Sequence, residues 1–368
     1  MWYRIRLYLK NFDWILLVAV VLLVLFGLVE IYSVALGQET LSLLNFKKQV
    51  IFIIVGLVLM FVLAFTDFYF LKSLNKYLYI LAALVLVAVL FFGSTIRGTR
   101  GWFDLGGFNF QPVEFVKIAL LLYLSSYFSD LATNIKTLKH LWQSGLATLV
   151  LVALVLLQPD FGSALMLVAL WLVLLLLAGF KKKYFFSIIG ISLILFLSAW
   201  FFFFKDYQKE RLMTFINPQA NDLAAGYNVS QAMIAVGSGG LTGKGVGFGS
   251  QSQLKFLPEA QTDFIFAVVA EELGFLGVGL ILSFFAIFFA RCLVIIRKIN
   301  NDFGIYFILG ALGLIFIQMF INIAMNMGMM PVVGLSLPFV SYGGSGLISL
   351  FILVGIIQNI IIKSKISY

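Results

Sequence analysis

Ten separate apolar runs, each long enough to cross a membrane, constrain this chain more than any other feature of its sequence. A helix needs about 17–25 residues to span the hydrocarbon. Windows of this kind lie at 14–36, 49–65, 77–93, 113–128, 141–157, 161–178, 184–204, 263–290, 303–325 and 345–362. Apolar residues make up 62% of the chain and charged residues 11%, which a soluble core does not accommodate. The sequence predicts an all-α polytopic membrane protein with ten transmembrane helices.

The basic residues set the predicted orientation, because cytoplasmic loops are enriched in lysine and arginine. If the N-terminus is cytoplasmic, the same side receives most of the short basic clusters, among them Lys181–Lys183, Arg297 with Lys298, and Lys363 with Lys365. An even number of helices then places both termini in the cytoplasm. This distribution explains the net charge of +9, and we expect no nucleic-acid partner. A single cysteine and a single histidine exclude a disulfide framework and a multi-histidine zinc site.

One connection is much longer than the others. Residues 205–262 join the seventh and eighth predicted helices on the outer side, and long loops of this kind are usually functional. No internal repeat or separable soluble domain is visible, so residues 1–368 are predicted to form a single membrane domain with one large extracytoplasmic loop.

The stretch FLPEAQTDFIFAVVAEELGF (256–275) contains four acids, and three of them, Asp263, Glu271 and Glu272, fall within the predicted eighth helix. On a continuous helix Asp263 and Glu271 would lie about 80° and about 12 Å apart, with Glu272 on the opposite side. Asp263 either caps the helix or belongs to a site. Glu271 and Glu272 either pair with buried cations or belong to the site. The second alternative follows because ionisable groups inside a membrane are usually functional. The small residues that follow Asp263 on one helix face predict close packing of a neighbouring helix.

A second polar cluster lies in RGTRGWFDLGGFNFQPVEFVK (97–117). Glu114 and Lys117 either form a salt bridge, for which their spacing on one helix face is suited, or bind substrate. Arg97 and Arg100 either anchor lipid headgroups or bind a diphosphate, for which the guanidinium fork is suited.

The glycine-rich stretch VGSGGLTGKGVGFGS (236–250) is not a Walker A loop, because Ser238 and Gly245 occupy two of its defining positions. Its N–H groups either approach a phosphate, with Lys244 beside it, or the glycines only shape a turn.

Asp160, in LQPDFGSAL (157–165), either caps a helix or contributes to the site. The prolines and glycines of residues 327–346 predict irregular backbone that lines a cavity opening outward.

Taken together, these stretches resemble the SEDS family (shape, elongation, division and sporulation), and its RodA branch more than its FtsW branch. The resemblance rests on RGTRGW, FQPVEFVK, LQPDFGSAL, ERLMTFINP, the run from AVGSGG to EELGFLG, and MPVVGLSLPFVSYGGSG, in family order over residues 97–346. Two positions depart from the family pattern: Val113 replaces a common serine, and Gln261 replaces a common histidine.

The resemblance implies a bacterial cytoplasmic-membrane enzyme that polymerises lipid II into glycan strands at the outer face during cell elongation. It also implies a class B penicillin-binding protein and the elongation machinery as partners, and Asp263 as the catalytic carboxylate. The matching motifs contain further candidates: Ser341 for substrate binding, and Pro258, Gly343 and Gly344 for structural or site roles.

The chemistry of this reaction fits the residue types. Transfer from an α-linked diphosphate donor needs one base on the acceptor hydroxyl, which Asp263 supplies; orienting that hydroxyl or binding a metal is its alternative role. The leaving diphosphate needs charge neutralisation, for which the candidates are Arg97, Arg100, Lys117, Lys244 and Lys255. A divalent cation, Mg²⁺ or Mn²⁺, on Asp263 and the phosphate oxygens is compatible with this scheme. We expect no organic cofactor.

Three other functions remain open at this stage. Intramembrane charges and broken helices also describe a flippase for lipid-linked oligosaccharides. A scaffold for the elongation machinery would use the acids only to bind partners. Within the enzyme interpretation, a polymerase of the division branch is the alternative.

Overall fold

A computed structural model describes residues 2–37, 42–96, 98–131, 138–188, 190 and 225–366. Its helices are α1 (Trp2–Asn11), α2 (Trp14–Leu36), α3 (Leu44–Phe65), α4 (Phe68–Ser73), α5 (Asn75–Phe92), α6 (Val113–Asp130), α7 (Leu138–Leu156), α8 (Phe161–Leu177), α9 (Ala225–Ser238), α10 (Ser250–Gln253), α11 (Ile265–Ile296), α12 (Asp302–Asn326) and α13 (Gly344–Ile366). Its strands are β1 (Ser94–Ile96), β2 (Thr99–Asp104) and β3 (Asn109–Phe110).

The membrane class predicted from the sequence is confirmed. Every predicted window except 184–204, most of which lies outside the described residues, coincides with a helix. Seven of the described helices are long and apolar enough to cross a membrane. Two further predicted spans are not among these seven. Helix α8 is too short, with 17 residues, and α6 carries three charged residues, Glu114, Lys117 and Asp130. The total of ten and the assignment of the cytoplasmic side stay predictions.

Burial of the helices is that of a bundle surrounded by lipid. Helix α13 lies at the centre, packed against α3, and 89% of its most apolar window is buried. The corresponding share is 22% in α3 and in α5, whose outer faces expose valine, leucine, isoleucine and phenylalanine. Apolar faces of this extent are stable in hydrocarbon and not in water.

Charged residues from distant parts of the chain meet at one end of the bundle. The pairs, with nitrogen–oxygen distances of 2.8–3.2 Å, are Arg291 with Asp13, Lys363 with Asp67, and Lys72 with Asp130. Lys363 was predicted on the cytoplasmic side, and the alternation of the predicted helices places the other five residues on that side as well. Their contact at one end of the bundle agrees with this alternation. We call this the Asp13 end.

A buried amide shapes the backbone turn between α3 and α4 at the Asp13 end. The Nδ2 of Asn359 donates to the carbonyl oxygen of Leu63 at 2.8 Å, and its Oδ1 accepts from the backbone nitrogen of Phe68 at 3.1 Å. Asn359 is fully buried in α13, so this amide satisfies backbone groups that the end of one helix and the start of the next leave free.

The opposite end, which we call the Asp263 end, carries a small antiparallel sheet that the sequence analysis did not predict. Strand β2 pairs with β1 and with β3. Gly106 and Gly107 turn the chain between β2 and β3 with φ of 72° and 101°, where glycine is favoured. The Arg100 nitrogen donates to the Gln158 carbonyl oxygen at 3.2 Å, which fixes the sheet to the turn between α7 and α8.

The long connection before α11 is partly helical. Its first part, including the ERLMTFINP motif, lies outside the described residues. From residue 225 onward it contains α9 and α10, which pack against α11. The described part of the predicted loop is therefore an ordered piece of the membrane domain.

Candidate active site

Asp263 lies just before helix α11, at the Asp263 end. The helix begins at Ile265, and its N-cap position is Phe264. The projected separation of Asp263 from Glu271 on a continuous helix is therefore wrong, because Asp263 is in the preceding turn. The Asp263 side chain is partly exposed, so it lies where the end of the bundle meets solvent.

The backbone around Asp263 is held by the irregular segment that joins α12 to α13. The Tyr342 nitrogen donates to the Gln261 carbonyl oxygen at 2.8 Å. The Ser341 hydroxyl donates to the Thr262 carbonyl oxygen at 2.7 Å, and it accepts from the Leu337 nitrogen at 2.8 Å. Ser341, a predicted substrate-binding residue, therefore uses its hydroxyl inside the protein, and its predicted contact with substrate remains a prediction.

The irregular segment lies beside Asp263, and the start of α13 that follows it lies beside the second polar cluster. The Oδ2 of Asp263 lies 3.9 Å from the position that a Cβ would take at Gly334. The Oε2 of Glu114 lies 3.9 Å from the corresponding position at Gly346. The prediction of irregular backbone at residues 327–346 is confirmed for residues 327–343, whereas residues 344–346 form the start of α13.

Glu114 and Lys117 form the predicted ion pair in the first turns of α6, with a distance of 2.8 Å. The Lys117 side chain is 2% exposed and that of Glu114 is 15% exposed. The Ser349 hydroxyl donates to Glu114 at 3.4 Å. Lys117 is thus neutralised within the protein, which weakens it as a partner for a diphosphate.

Asp160 caps helix α8, as one of its two interpretations predicted. Its Oδ1 accepts from the Ser163 nitrogen at 2.9 Å, and its Oδ2 accepts from the Ser163 hydroxyl at 2.7 Å. Burial of this carboxyl, just outside the helix, raises its pKa, and Lys117 acts in the opposite direction. Asp160 therefore lies within electrostatic range of the Glu114–Lys117 pair, and a direct role remains a prediction.

Helix α11 is interrupted at Gly274, where φ is 63°, and the glycine-rich stretch pairs with the interruption. Backbone nitrogens beyond the break donate to this stretch, and nitrogens of the stretch donate to carbonyls before the break. These bonds, at 2.8–3.1 Å, are Phe275 N to Gly240 O, Leu276 N to Leu241 O, Lys244 N to Glu271 O, and Gly245 N to Glu272 O. The stretch thereby satisfies backbone groups that the broken helix frees.

The side chains of Glu271 and Glu272 hold the same stretch. Glu271 accepts from the Lys244 ammonium at 2.8 Å and from the Gln251 nitrogen at 3.0 Å. Glu272 accepts from the Gly247 nitrogen and the Ser252 hydroxyl, both at 3.0 Å. Both carboxylates are fully buried. The buried ion pair predicted as one alternative is present for Glu271.

One expectation about this region is corrected, and a second is confirmed in part. The hypothesis that N–H groups of residues 236–250 face a phosphate is wrong for Lys244, Gly245 and Gly247, whose N–H groups bind Glu271 and Glu272. The small residues of α11 were expected to meet a neighbouring helix. This expectation is confirmed at Ala267, which packs with Ala232 and Ala235 of α9. At Ala270 it is the glycine-rich stretch that lies close, since a Cβ at Gly239 would lie 1.8 Å from the Ala270 carbonyl oxygen.

The remaining predicted cations differ in their exposure and in the hydrogen bonds that they already make within the protein. Arg100 donates from Nε to the Gly93 carbonyl oxygen at 3.1 Å and from Nη2 to the Phe91 carbonyl oxygen at 2.9 Å. Lys255 is exposed, with φ of 60°. Arg97 lies outside the described residues. Of the described candidates, Lys255 and Arg100 are the better placed to meet an anion from solvent.

The structure also shows the surroundings of the three motif residues that were predicted to have structural or site roles. Pro258 is exposed in the turn before Asp263. The Gly343 nitrogen donates to Gln49 at 3.2 Å. Gly344 begins α13 against two rings, and a Cβ there would lie 2.8 Å from Phe52 and Phe108.

Glu30 was missed by the sequence analysis, although a lone acid inside an apolar window was a visible signal. It is fully buried in α2, and neither carboxylate oxygen has a hydrogen-bond partner among the described residues. Glu272 lies within electrostatic range of it. An unsatisfied acid beside a second acid destabilises the fold.

We therefore expect Glu30→Leu to stabilise the protein, by roughly 1–3 kcal/mol, because it removes a buried polar group without breaking a hydrogen bond. Thermal unfolding of the detergent-solubilised protein measures this. Glu272→Leu is the control and should lower the melting temperature, because four groups donate to Glu272: Ser33, Gly247, Ser252 and Gln253. A lower melting temperature in Glu30→Leu would mean that this carboxylate is needed.

Comparison with known proteins adds the family. The family model for the FtsW, RodA and SpoVE cell cycle proteins matches residues 13–366. The peptidoglycan glycosyltransferase MrdB of Escherichia coli K12 is 39% identical, over 94% of this chain and 92% of its own length. Stage V sporulation protein E of Bacillus subtilis is 34% identical, over 95% and 96%.

Solved structures agree with the sequence comparisons. One chain, from a study described as "Structural coordination of polymerization and crosslinking by a peptidoglycan synthase complex", superposes with a TM-score of 0.81 at 29% identity, covering 96% of this chain and 98% of its own. The rod shape determining protein RodA of Thermus thermophilus gives a TM-score of 0.72 at 29% identity, covering 95% and 96%. This chain belongs to the FtsW, RodA and SpoVE family.

Proposed function

We propose that this protein is a RodA-type peptidoglycan glycosyltransferase, a multi-pass protein of the bacterial cytoplasmic membrane that polymerises lipid II during cell elongation. The observation that carries the proposal is Asp263, a partly exposed carboxylate whose backbone is fixed at one end of a membrane bundle. The relatives named as peptidoglycan glycosyltransferases support the activity, and the 39% identity to MrdB supports the elongation branch.

The reaction assigns separate tasks to the residues at the Asp263 end. A new bond forms between the acceptor hydroxyl oxygen and the donor anomeric carbon, while the bond from that carbon to the diphosphate breaks. Asp263 takes the hydroxyl proton as the oxygen attacks. Lys255 and Arg100 offset the charge of the leaving diphosphate. Inversion at the anomeric carbon follows, because the hydroxyl attacks opposite the leaving group.

A divalent cation, Mg²⁺ or Mn²⁺, is part of this proposal. Within the part of the chain that the structure describes, no three acidic, cysteine or histidine side chains are grouped to hold a metal. Mg²⁺ commonly binds through one or two carboxylates together with substrate phosphates, and Asp263 fits the protein share of such a site. When bound, the ion would supply charge to the diphosphate. Asp263 would be its one protein carboxylate.

The partner we propose is a class B penicillin-binding protein that cross-links the new strands within the elongation machinery. The similarity to a chain from a peptidoglycan synthase complex that couples polymerization and crosslinking supports it.

The test is polymerisation by the purified protein, alone and with the penicillin-binding protein, using lipid II and Mg²⁺ or Mn²⁺. We expect glycan polymer, which size separation detects, and we expect EDTA to abolish it until the ion is restored. Full activity in EDTA would remove the cation from the proposal. If no condition yields polymer but lipid II crosses proteoliposome membranes, the protein is a flippase.

A further inference from the structure

Three buried amides follow one face of helix α12. Gln318, Asn322 and Asn326 are spaced four residues apart and therefore line up along the helix. Gln318 is 4% exposed, and both asparagines are fully buried. Buried amides in an apolar helix must find hydrogen-bond partners, so the groups that they bind show what the face is for.

The amides bind backbone carbonyls of the two segments that meet at the site. Gln318 donates to the Ser336 carbonyl oxygen at 3.0 Å, and Asn322 donates to that of Leu335 at 2.7 Å. The Nδ2 groups of Asn322 and Asn326 both donate to the carbonyl oxygen of Asp263, each at 3.0 Å. This one carbonyl oxygen therefore accepts two side-chain hydrogen bonds.

Asn326 also occupies the place of a helical hydrogen bond. In an α-helix the nitrogen of residue 267 would donate directly to the carbonyl oxygen of residue 263. Here the Asn326 Nδ2 donates to Asp263 O, and its Oδ1 accepts from Ala267 N at 3.2 Å. The carboxamide is inserted between the two backbone groups. The Ala267 nitrogen also donates to the Phe264 carbonyl oxygen at 3.0 Å. The helix therefore begins at Ile265 with a tight turn, in which the hydrogen bond joins residues three positions apart.

The insertion has a geometric consequence for Asp263. A direct bond between the two backbone groups would extend the helix toward Asp263 and turn its side chain with the helix. With the amide inserted, Asp263 stays in the turn, with its carboxylate near Gly334. Asn322 reinforces this arrangement from the preceding turn of α12.

We propose that Asn322 and Asn326 are positioning residues that hold Asp263 outside helix α11, in the orientation that polymerisation requires. The proposal rests on the proposed function, in which Asp263 is the catalytic carboxylate. The asparagines act through the Asp263 backbone, so they should govern the rate of the bound complex and leave lipid II binding largely unchanged.

The test compares Asn326→Leu with Asn359→Leu. Asn359 is the matched control, since it is also a fully buried asparagine that bridges a carbonyl and an N–H at a helix end, but at the Asp13 end. We expect Asn326→Leu to lower kcat about 10- to 100-fold, as misplacement by about 1 Å does, with KM for lipid II nearly unchanged. Asn359→Leu should lose thermal stability and keep kcat. Asn326→Gln, which keeps both donor and acceptor, should recover part of kcat.

A second measurement does not depend on activity. Hydrogen–deuterium exchange of peptides covering residues 258–268 should change in Asn326→Leu and stay as in the wild type in Asn359→Leu. Wild-type kcat in Asn326→Leu, or unchanged exchange, overturns the proposal. If the wild type makes no polymer while exchange changes as expected, the proposed activity has failed and the structural role of Asn326 stands.

Discussion

Asp263→Asn is expected to lower lipid II polymerisation about 10²- to 10⁴-fold, the usual contribution of a general base. Asparagine has nearly the same size as aspartate but cannot accept the hydroxyl proton. The backbone contacts of residue 263 do not involve the side chain, because Asn322 and Asn326 bind its carbonyl oxygen. The fold should therefore survive the change.

Size-separated glycan products from the purified variant measure this loss, and Asp104→Asn is the matched control. Asp104 is an exposed aspartate at the same end, where its side chain accepts from the Gly106 nitrogen at 3.0 Å, a bond that asparagine also makes. Wild-type polymerisation is expected for this control. If Asp263→Asn also polymerises normally, the catalytic group must be sought at Glu114 or Asp160.

The apolar helices were predictable because their signal is local. A run of apolar residues must become a helix in hydrocarbon, since a helix satisfies its own backbone. Every predicted window other than 184–204 accordingly coincides with a helix. The Glu114–Lys117 pair was predictable for the same reason, because its spacing on one helix fixes its contact.

The features that could not be predicted from the sequence depend on contacts between distant segments. The break at Gly274 and the start of α11 at Ile265 are both set by groups outside that helix. The glycine-rich stretch forms hydrogen bonds with the backbone groups at the break, and Asn326 does so with the backbone at the start of the helix. A glycine in a helical pattern signals a tolerated residue as readily as an interruption, so one sequence does not reveal which partner it meets.

The roles of Lys244, Glu271 and Glu272 follow the same logic. Glu271 and Glu272 were candidates for the site because a charge in a membrane protein is costly, and Lys244 was a candidate cation for the leaving diphosphate. The structure shows that this cost is offset by contacts among these residues and the glycine-rich stretch. Of the two roles predicted as alternatives for Glu271 and Glu272, ion pair or site, the described residues show the attachment of the stretch to α11.

This attachment leads to a prediction for Gly239→Ala, which should destabilise the protein by roughly 3 kcal/mol or more, beyond the usual cost of overpacking. The added Cβ would lie 1.8 Å from the Ala270 carbonyl oxygen. That atom is backbone inside α11 and cannot move aside. The stretch would have to separate from the helix, losing the hydrogen bonds of Lys244 and Gly245 to the helix carbonyls.

Gly237→Ala is the matched control, because Gly237 lies in α9 only two positions away and a Cβ there meets no atom of the described residues within 4 Å. Alanine should stabilise this helical position by about 0.5–1 kcal/mol, since it loses less backbone entropy than glycine. Thermal unfolding in detergent should therefore shift in opposite directions for the two variants. Equal melting temperatures would show that the stretch and α11 are not packed this closely. Opposite shifts would establish that the glycine at 239 is required by the close approach of two backbones.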